Sequence, residues 1–157
     1  MSTHVPPPLP ESGTTREMVS FRFNDIDVFG HLNNAVYLEL LDLGKVVYFL
    51  DANGGRFSAG NIAFVIVHID INYYHPTYAT EHIDVVTRLD KLGEKSAVFE
   101  QWVVGRESDE IKCHARTVMA HMNKDFNQAV PISDEYREHI LNTVKKLTSG
   151  KGKYLFE

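Results

Sequence analysis

The stretch "NDIDVFGHLNN" (24–34) crowds Asp25, Asp27, Gly30, His31, Asn33 and Asn34 together, directly before the almost purely apolar run "AVYLELLDLGKVVYFL" (35–50). A carboxylate can act as general base or as nucleophile, and a histidine can carry a proton near neutral pH. If the apolar run is a helix, its first N–H groups have no intrahelical partner and sit at the positive end of its dipole. A carbonyl oxygen or an anion aimed at them finds donors already in place. The residues alone also allow a quieter reading. Asp and Asn favour turns and caps, so Asp27 and Asn33 can be turn and cap residues, Asp25 can end a strand, and His31 can serve in capping hydrogen bonds. Gly30 lets backbone approach a ligand closely. Tyr37, one turn into the run, reads as packing.

The elements that position this cluster follow from periodicity. In "MVSFRFN" (18–24) Val19, Phe21 and Phe23 alternate, which predicts a short strand. Residues 34–50 are too long for a strand. Glu39, Asp42 and Lys45 interrupt the apolar residues at intervals of three, which puts them on one stripe of a helix buried on most sides. Asn33 is its predicted N-cap, and "NGG" (53–55) stops it. In residues 62–75 a strand places Val65, Val67, Ile69, Ile71 and Tyr73 on one face and His68, Asp70, Asn72 and Tyr74 on the other, with Pro76 ending it. Strands over 81–92, 96–104 and 111–122 follow, joined by the polar turns "LGEK" and "GRESDE". A last helix over 133–147 carries Tyr136, Ile140, Val144 and Leu147 at helical spacing, with Ser133 as N-cap. The order predicts an α+β fold: an antiparallel sheet of about five strands curled around one long central helix.

Composition narrows the function classes. A chain of 157 residues suits one domain, placed here at 18–148 between a disordered Pro-rich tail (1–17) and a C-terminal tail (149–157). Pro7 and Pro10 make a PxxP match, the spacing read by proline-binding domains. The net charge of −5 with mixed signs argues against nucleic acid as a partner. No apolar run reaches the length of a membrane span, and the N-terminus lacks a signal-peptide core. Eight histidines appear without HExxH or similar ligand spacing, so no metal or other cofactor is expected. The one cysteine, Cys113, leaves no internal disulfide and fits a reducing, cytoplasmic setting.

The spacing Asp25-x-Asp27-x-x-Gly30-His31-x-Asn33-Asn34-x-x-Tyr37, followed by "VIVHIDINYYHPTYATEHIDV" (65–85), resembles the hotdog-fold acyl-CoA thioesterases of the 4-hydroxybenzoyl-CoA thioesterase-like superfamily. The resemblance covers roughly residues 18–140. It implies hydrolysis of an acyl-CoA or acyl-carrier-protein thioester, with Asp27 as the catalytic carboxylate and the main-chain amide of Asn34 polarising the thioester carbonyl. Plant acyl-carrier-protein thioesterases are similar here and add a histidine at the position of His31, but they carry an Asn where this chain has Phe29. The family implies a homodimer or tetramer with sites between subunits.

The expected site is therefore Asp27 and His31 as catalytic groups, with Gly30, Asn33, Asn34, Tyr37 and His68 around the substrate. His68 and Asp70 share a strand face that can line the cleft, meet another subunit or face solvent. Coenzyme A needs cations for its phosphates, and Arg88, Lys91 and Lys95, with Arg116, are the candidates. Whether Asp27 attacks the carbonyl or deprotonates water stays open. A hotdog protein that holds an acyl thioester without cleaving it is the alternative. A hydro-lyase on the same fold matches poorly, because those enzymes set their histidine and acid in a different context.

Overall fold

The computed structural model describes residues 4–52 and 63–148. Its elements are β1 (Thr14–Val19), a single 3-10 turn (Phe23–Asp25), α1 (Asn34–Ala52), β2 (Phe64–Tyr73), β3 (Ile83–Leu92), β4 (Ser96–Gly105), β5 (Ile111–His121) and α2 (Asp134–Thr148). The five strands pair antiparallel throughout, in the order β1-β3-β4-β5-β2. Short turns make β3, β4 and β5 a meander, while β1 and β2 close its two sides as edge strands. This is the antiparallel sheet around one long helix that the periodicity predicts.

α1 packs its length against one face of the sheet. Its first half sets Tyr37, Leu40 and Leu41 against Val19, Ile83, Val85, Val103, Cys113 and Ala115. Its second half sets Tyr48 and Phe49 against Phe64, Phe99, Met119 and two α2-side residues, Ile132 and Ile140. Between the two clusters the helix approaches the sheet closely at Gly44. A Cβ there would lie 2.6 Å from Val85 Cγ1, 2.7 Å from Thr87 Oγ1 and 2.9 Å from Gln101 Nε2. A polar bracket spans the same gap. The fully buried Gln101 donates to the Leu41 carbonyl (2.8 Å) and to Thr87 Oγ1 (2.9 Å), and accepts from Lys45 Nζ (3.2 Å). Buried amides are tolerated only when satisfied in this way.

Several expectations shift. The strand predicted over 18–24 lies earlier, at Thr14–Val19, so four residues assigned to the tail belong to the sheet. The chain leaves the sheet after Val19 because Asp25 folds it into a turn: its carboxylate accepts from the Arg22 N–H (2.7 Å) and pairs with the Arg22 guanidinium (2.9 Å). Phe23 consequently stands exposed rather than buried. In β2 a bulge between Ile66 and His68 breaks the alternation, so Val67 faces solvent while Ile69, Ile71 and Tyr73 stay half-buried. In α1, Glu39 and Asp42 are exposed, but Lys45 turns inward and is almost fully buried. Burial pushes its ammonium below the ordinary lysine value, and Asp42 (3.0 Å) opposes that shift. The sheet covers only one side of α1, leaving Leu38, Leu43 and Val46 exposed, and Val46 lines a groove with the exposed Ile66 of β2. The predicted stop at 53–55 and the tail at 149–157 lie outside the described residues.

Two tests follow. Gly44→Ala gains about 1 kcal/mol of helix propensity but overpacks the gap at a cost of about 1–3 kcal/mol. The expected result is a lower melting temperature; an unchanged or higher one would show that the sheet yields freely. Asp25 is held below the ordinary carboxylate value by hydrogen bonds from Arg22. Its stabilising contribution is therefore complete above the unfolded carboxylate value and is lost as pH falls through the folded one. Asp25→Asn should lower the melting temperature at neutral pH, and the gap to the parent should close on acidification.

Candidate active site

The site is a loop tied down at both ends. Ile26 and Leu32 form an antiparallel bridge, and beyond them Asp27 N–H donates to the His31 carbonyl (2.7 Å) while Gly30 N–H donates to the Asp27 carbonyl (3.0 Å). This tight closure needs a left-handed residue, and Gly30 supplies it at φ +78°. The Asp27 carboxylate staples the loop from inside. Its Oδ1 accepts from the Phe29 N–H (2.9 Å) and the His31 N–H (3.1 Å). Its Oδ2 has no hydrogen-bond partner among the described residues, so one oxygen is held and the other is free.

The loop then feeds the helix. Asn33 N–H donates to the Asp25 carbonyl (2.8 Å), while Asn33 Oδ1 accepts from the Ala35 N–H (3.0 Å) and its carbonyl from Val36 (3.0 Å). Asn33 is thus the N-cap, as its residue type predicts. The Asn34 N–H finds no acceptor among the described residues. That leaves an unpaired donor at the positive end of a nineteen-residue helix, following a loop that carries a free carboxylate oxygen.

The segment after β2 locks this arrangement to the sheet. Leu32 N–H donates to the Thr77 carbonyl (2.8 Å), and the Tyr37 hydroxyl donates to Thr77 Oγ1 (2.8 Å), with both side chains buried. Burial pushes the Tyr37 phenol up to about 12, so it remains a proton donor to Thr77. His31 bridges to Tyr78, and their rings meet edge to face at 5.2 Å. The Tyr73 hydroxyl donates to the Asn34 carbonyl (3.0 Å). The buried Lys112 ammonium holds the same turn through the Pro76 carbonyl (3.2 Å) and Glu81 (2.7 Å).

Asp27, Gly30, His31, Asn33, Asn34 and Tyr37 therefore come together. His68 does not join them: it lies mid-strand on β2 opposite Val118, on the outer face of the sheet. The cation candidates also lie elsewhere. Arg88 pairs with Glu100 (3.0 Å) on the outer face, and Arg116 with Asp90 (2.6 Å). Lys91 and Lys95 are exposed at the end of the β3–β4 hairpin, where Gly93 meets α2 through Arg137. That hairpin end belongs with the far end of α1, roughly 28 Å from Asn34 by helical rise. Thr77, Tyr73 and Tyr78 were not singled out by sequence reasoning. Only Tyr73 carried a signal, since it falls on the inward face of its strand; Thr77 and Tyr78 looked like ordinary residues after Pro76. Cys113 is buried and its thiol is pushed up to about 12, which removes it as a nucleophile. No group of three metal-ligating side chains occurs among the described residues.

The tip of the loop is apolar and open, with Val28 and Phe29 exposed. Elsewhere a groove of about 400 Å³ opens between α1 and β2, lined by Lys45, Val46, Phe49, Phe64, Ile66 and Met119.

Comparison with known proteins bears on the fold and the family. The family model for the thioesterase-like superfamily matches residues 21–140. The long-chain acyl-CoA thioesterase FadM of Escherichia coli (strain K12) is 27% identical over 128 residues, covering 81% of this chain and 97% of that protein. The crystal structure of YbaW, a probable thioesterase from Escherichia coli, superposes with a TM-score of 0.69 at 27% identity, over 83% of this chain and 98% of that one. A thioesterase from Thermus thermophilus, complexed with coenzyme A and Zn, shares the fold with a TM-score of 0.72 at 24% identity, over 87% and 98% of the two chains. With its five-stranded antiparallel sheet wrapped on one long helix, this chain belongs to the thioesterase-like superfamily and is a thioester hydrolase of hotdog fold.

Proposed function

We propose that the chain hydrolyses acyl-CoA thioesters, with Asp27 as the acid–base or nucleophilic group and the Asn34 amide as the oxyanion donor. The observation that carries this reading is the pairing of a free Asp27 oxygen with an unpaired helix N–H seven residues later. The carbonyl gains negative charge as the tetrahedral centre forms, and a fixed amide at a helix start meets that charge without reorganising. Donors of this kind are worth about 3–4 kcal/mol in other hydrolases. Asp27 is oriented before substrate arrives, because two amides hold its other oxygen. His31 abuts it through the loop closure and is the candidate for handing a proton to the departing thiol. Gly30, Asn33 and Tyr37 hold this frame rather than touch the reacting atoms.

The names of the relatives, FadM above all, support acyl-CoA as the substrate class. The groove beside the second half of α1 supports a long apolar chain: Val46 lies roughly 18 Å along the helix from Asn34. Coverage of the site supports assembly. β2 is an edge strand with Ile66 and Val67 exposed on it, and the exposed Val46 of α1 lines the same groove as Ile66. Edges and apolar surfaces of this kind pair with a second copy. We place a homodimer there, which would also cover the groove. In one chain Arg88, Lys91 and Lys95 are remote from Asn34, so any contact with coenzyme A phosphates requires a neighbouring subunit.

Asp27→Asn is expected to keep the fold, because an amide oxygen can accept the same two N–H bonds, while kcat falls roughly 10²–10⁴-fold. A thiol-release assay over acyl-CoAs of graded length and aryl-CoAs reads this; a variant as fast as the parent would remove Asp27 from the chemistry. If parent and variant both bind acyl-CoA and neither releases thiol, the chain is a binding protein instead. Light scattering is expected to give at least a dimer, and Val67→Glu together with Val46→Glu should shift it toward monomer. A monomeric parent would contradict a site shared between subunits.

A further inference from the structure

Trp102 points away from α1. Its neighbours Gln101 and Val103 face the helix, so strand alternation puts Trp102 and Val104 on the outer face of the sheet. Yet both are fully buried, and so nearly is Val86 beside them on β3. The cover is the N-terminal segment of the same chain. Trp102 Nε1 donates to the Pro7 carbonyl (2.9 Å), and Leu9 packs on Val86, Trp102 and Val104 together with Ile111. Gly13, at φ +75°, turns the chain between this segment and β1. Four prolines, Pro6, Pro7, Pro8 and Pro10, hold it extended before it docks, so little backbone freedom is lost on seating.

We propose that residues 5–10 are an intramolecular cap that denies the outer face of the sheet to a second copy of this chain. The segment lies outside the residues matched to the family, 21–140, and, unlike β1, it pairs with no strand of the sheet. What it covers is adhesive. A tryptophan alone carries roughly 150–250 Å² of contact surface, and with Val86 and Val104 an uncovered face reaches the size of a typical interaction patch. The surroundings suit self-pairing. Arg88, Glu100, Arg116 and Asp70 stand in register across β3, β4, β5 and β2, alternating in sign. Two such rows related by a two-fold axis can set cation against anion, with the apolar patch beside them. The PxxP spacing noted in the sequence thus has an occupant inside the chain: it seats on Trp102.

The test compares the full chain with one lacking residues 1–11, by light scattering at matched concentration. Trp102 is the sole tryptophan, so its emission reports the cap directly. The full chain is expected to shield it from acrylamide, whereas full-length Leu9→Asp is expected to expose it at high dilution. The shortened chain is expected to double in mass relative to the full chain, and adding Trp102→Glu to it is expected to restore the smaller species. An unchanged mass, or a doubling that Trp102→Glu leaves in place, overturns the proposal. Should the shortened chain precipitate, full-length Leu9→Asp and Gly13→Val decide by the same measurement: doubling supports the cap, and the parental mass overturns it.

Discussion

A helix buried in the curve of a sheet must still begin somewhere, and its first amides have no carbonyl behind them. That constraint organises this protein. Asn33 satisfies the Ala35 amide, but the Asn34 N–H has no acceptor among the described residues. An unmatched donor at a helix start is a place where an acceptor from outside the chain can bind. In the mechanism proposed above, it is the group that meets charge on the carbonyl oxygen. The rest of the local structure can be understood as holding that amide, and one carboxylate, still.

The holding is distributed. Asp25 bends the chain out of β1, Asp27 closes the next loop, and Thr77 receives both the Leu32 amide and the Tyr37 hydroxyl. Each element borrows rigidity from the sheet. Thr77 itself is fixed because Lys112 clamps the preceding Pro76 carbonyl from β5. Further along, the close approach at Gly44 and the Gln101 bracket set how deeply α1 sits. A shift there moves the helix, and with it the Asn34 amide.

The sheet has two faces with different duties. The inner one grips α1, and its charged exceptions are few. The outer one carries a ladder of alternating charges and one apolar island, and the N-terminal segment lies on the island. Apolar surfaces are thus treated differently at two of the places where they occur. The β2 edge and the exposed apolar side chains of α1 remain open, and Trp102 is closed.

Patterns with a fixed period were legible from the residues. The 2.0-residue alternation of β3, β4 and β5 and the long apolar run of α1 gave the fold class, and the strand ends agree to within two residues. Cap chemistry at Asn33 and the need for a glycine at position 30 were legible for the same reason: each depends on a residue and its near neighbours. Errors arose where distant groups decide. Val67 left its expected face because a bulge against β5 reset the alternation, and Lys45 of α1 turned inward because Gln101, on β4, offers it an acceptor. Residues written as tail became strand and cap because β3 and Trp102 were there to receive them. Thr77 had no mark in the sequence at all, since its role consists of two hydrogen bonds to residues forty or more positions earlier. Local sequence determined which elements form and where the helix begins. The tertiary structure alone decided which polar groups find partners, because a hydrogen bond reaches about 3 Å through space and takes no account of separation along the chain.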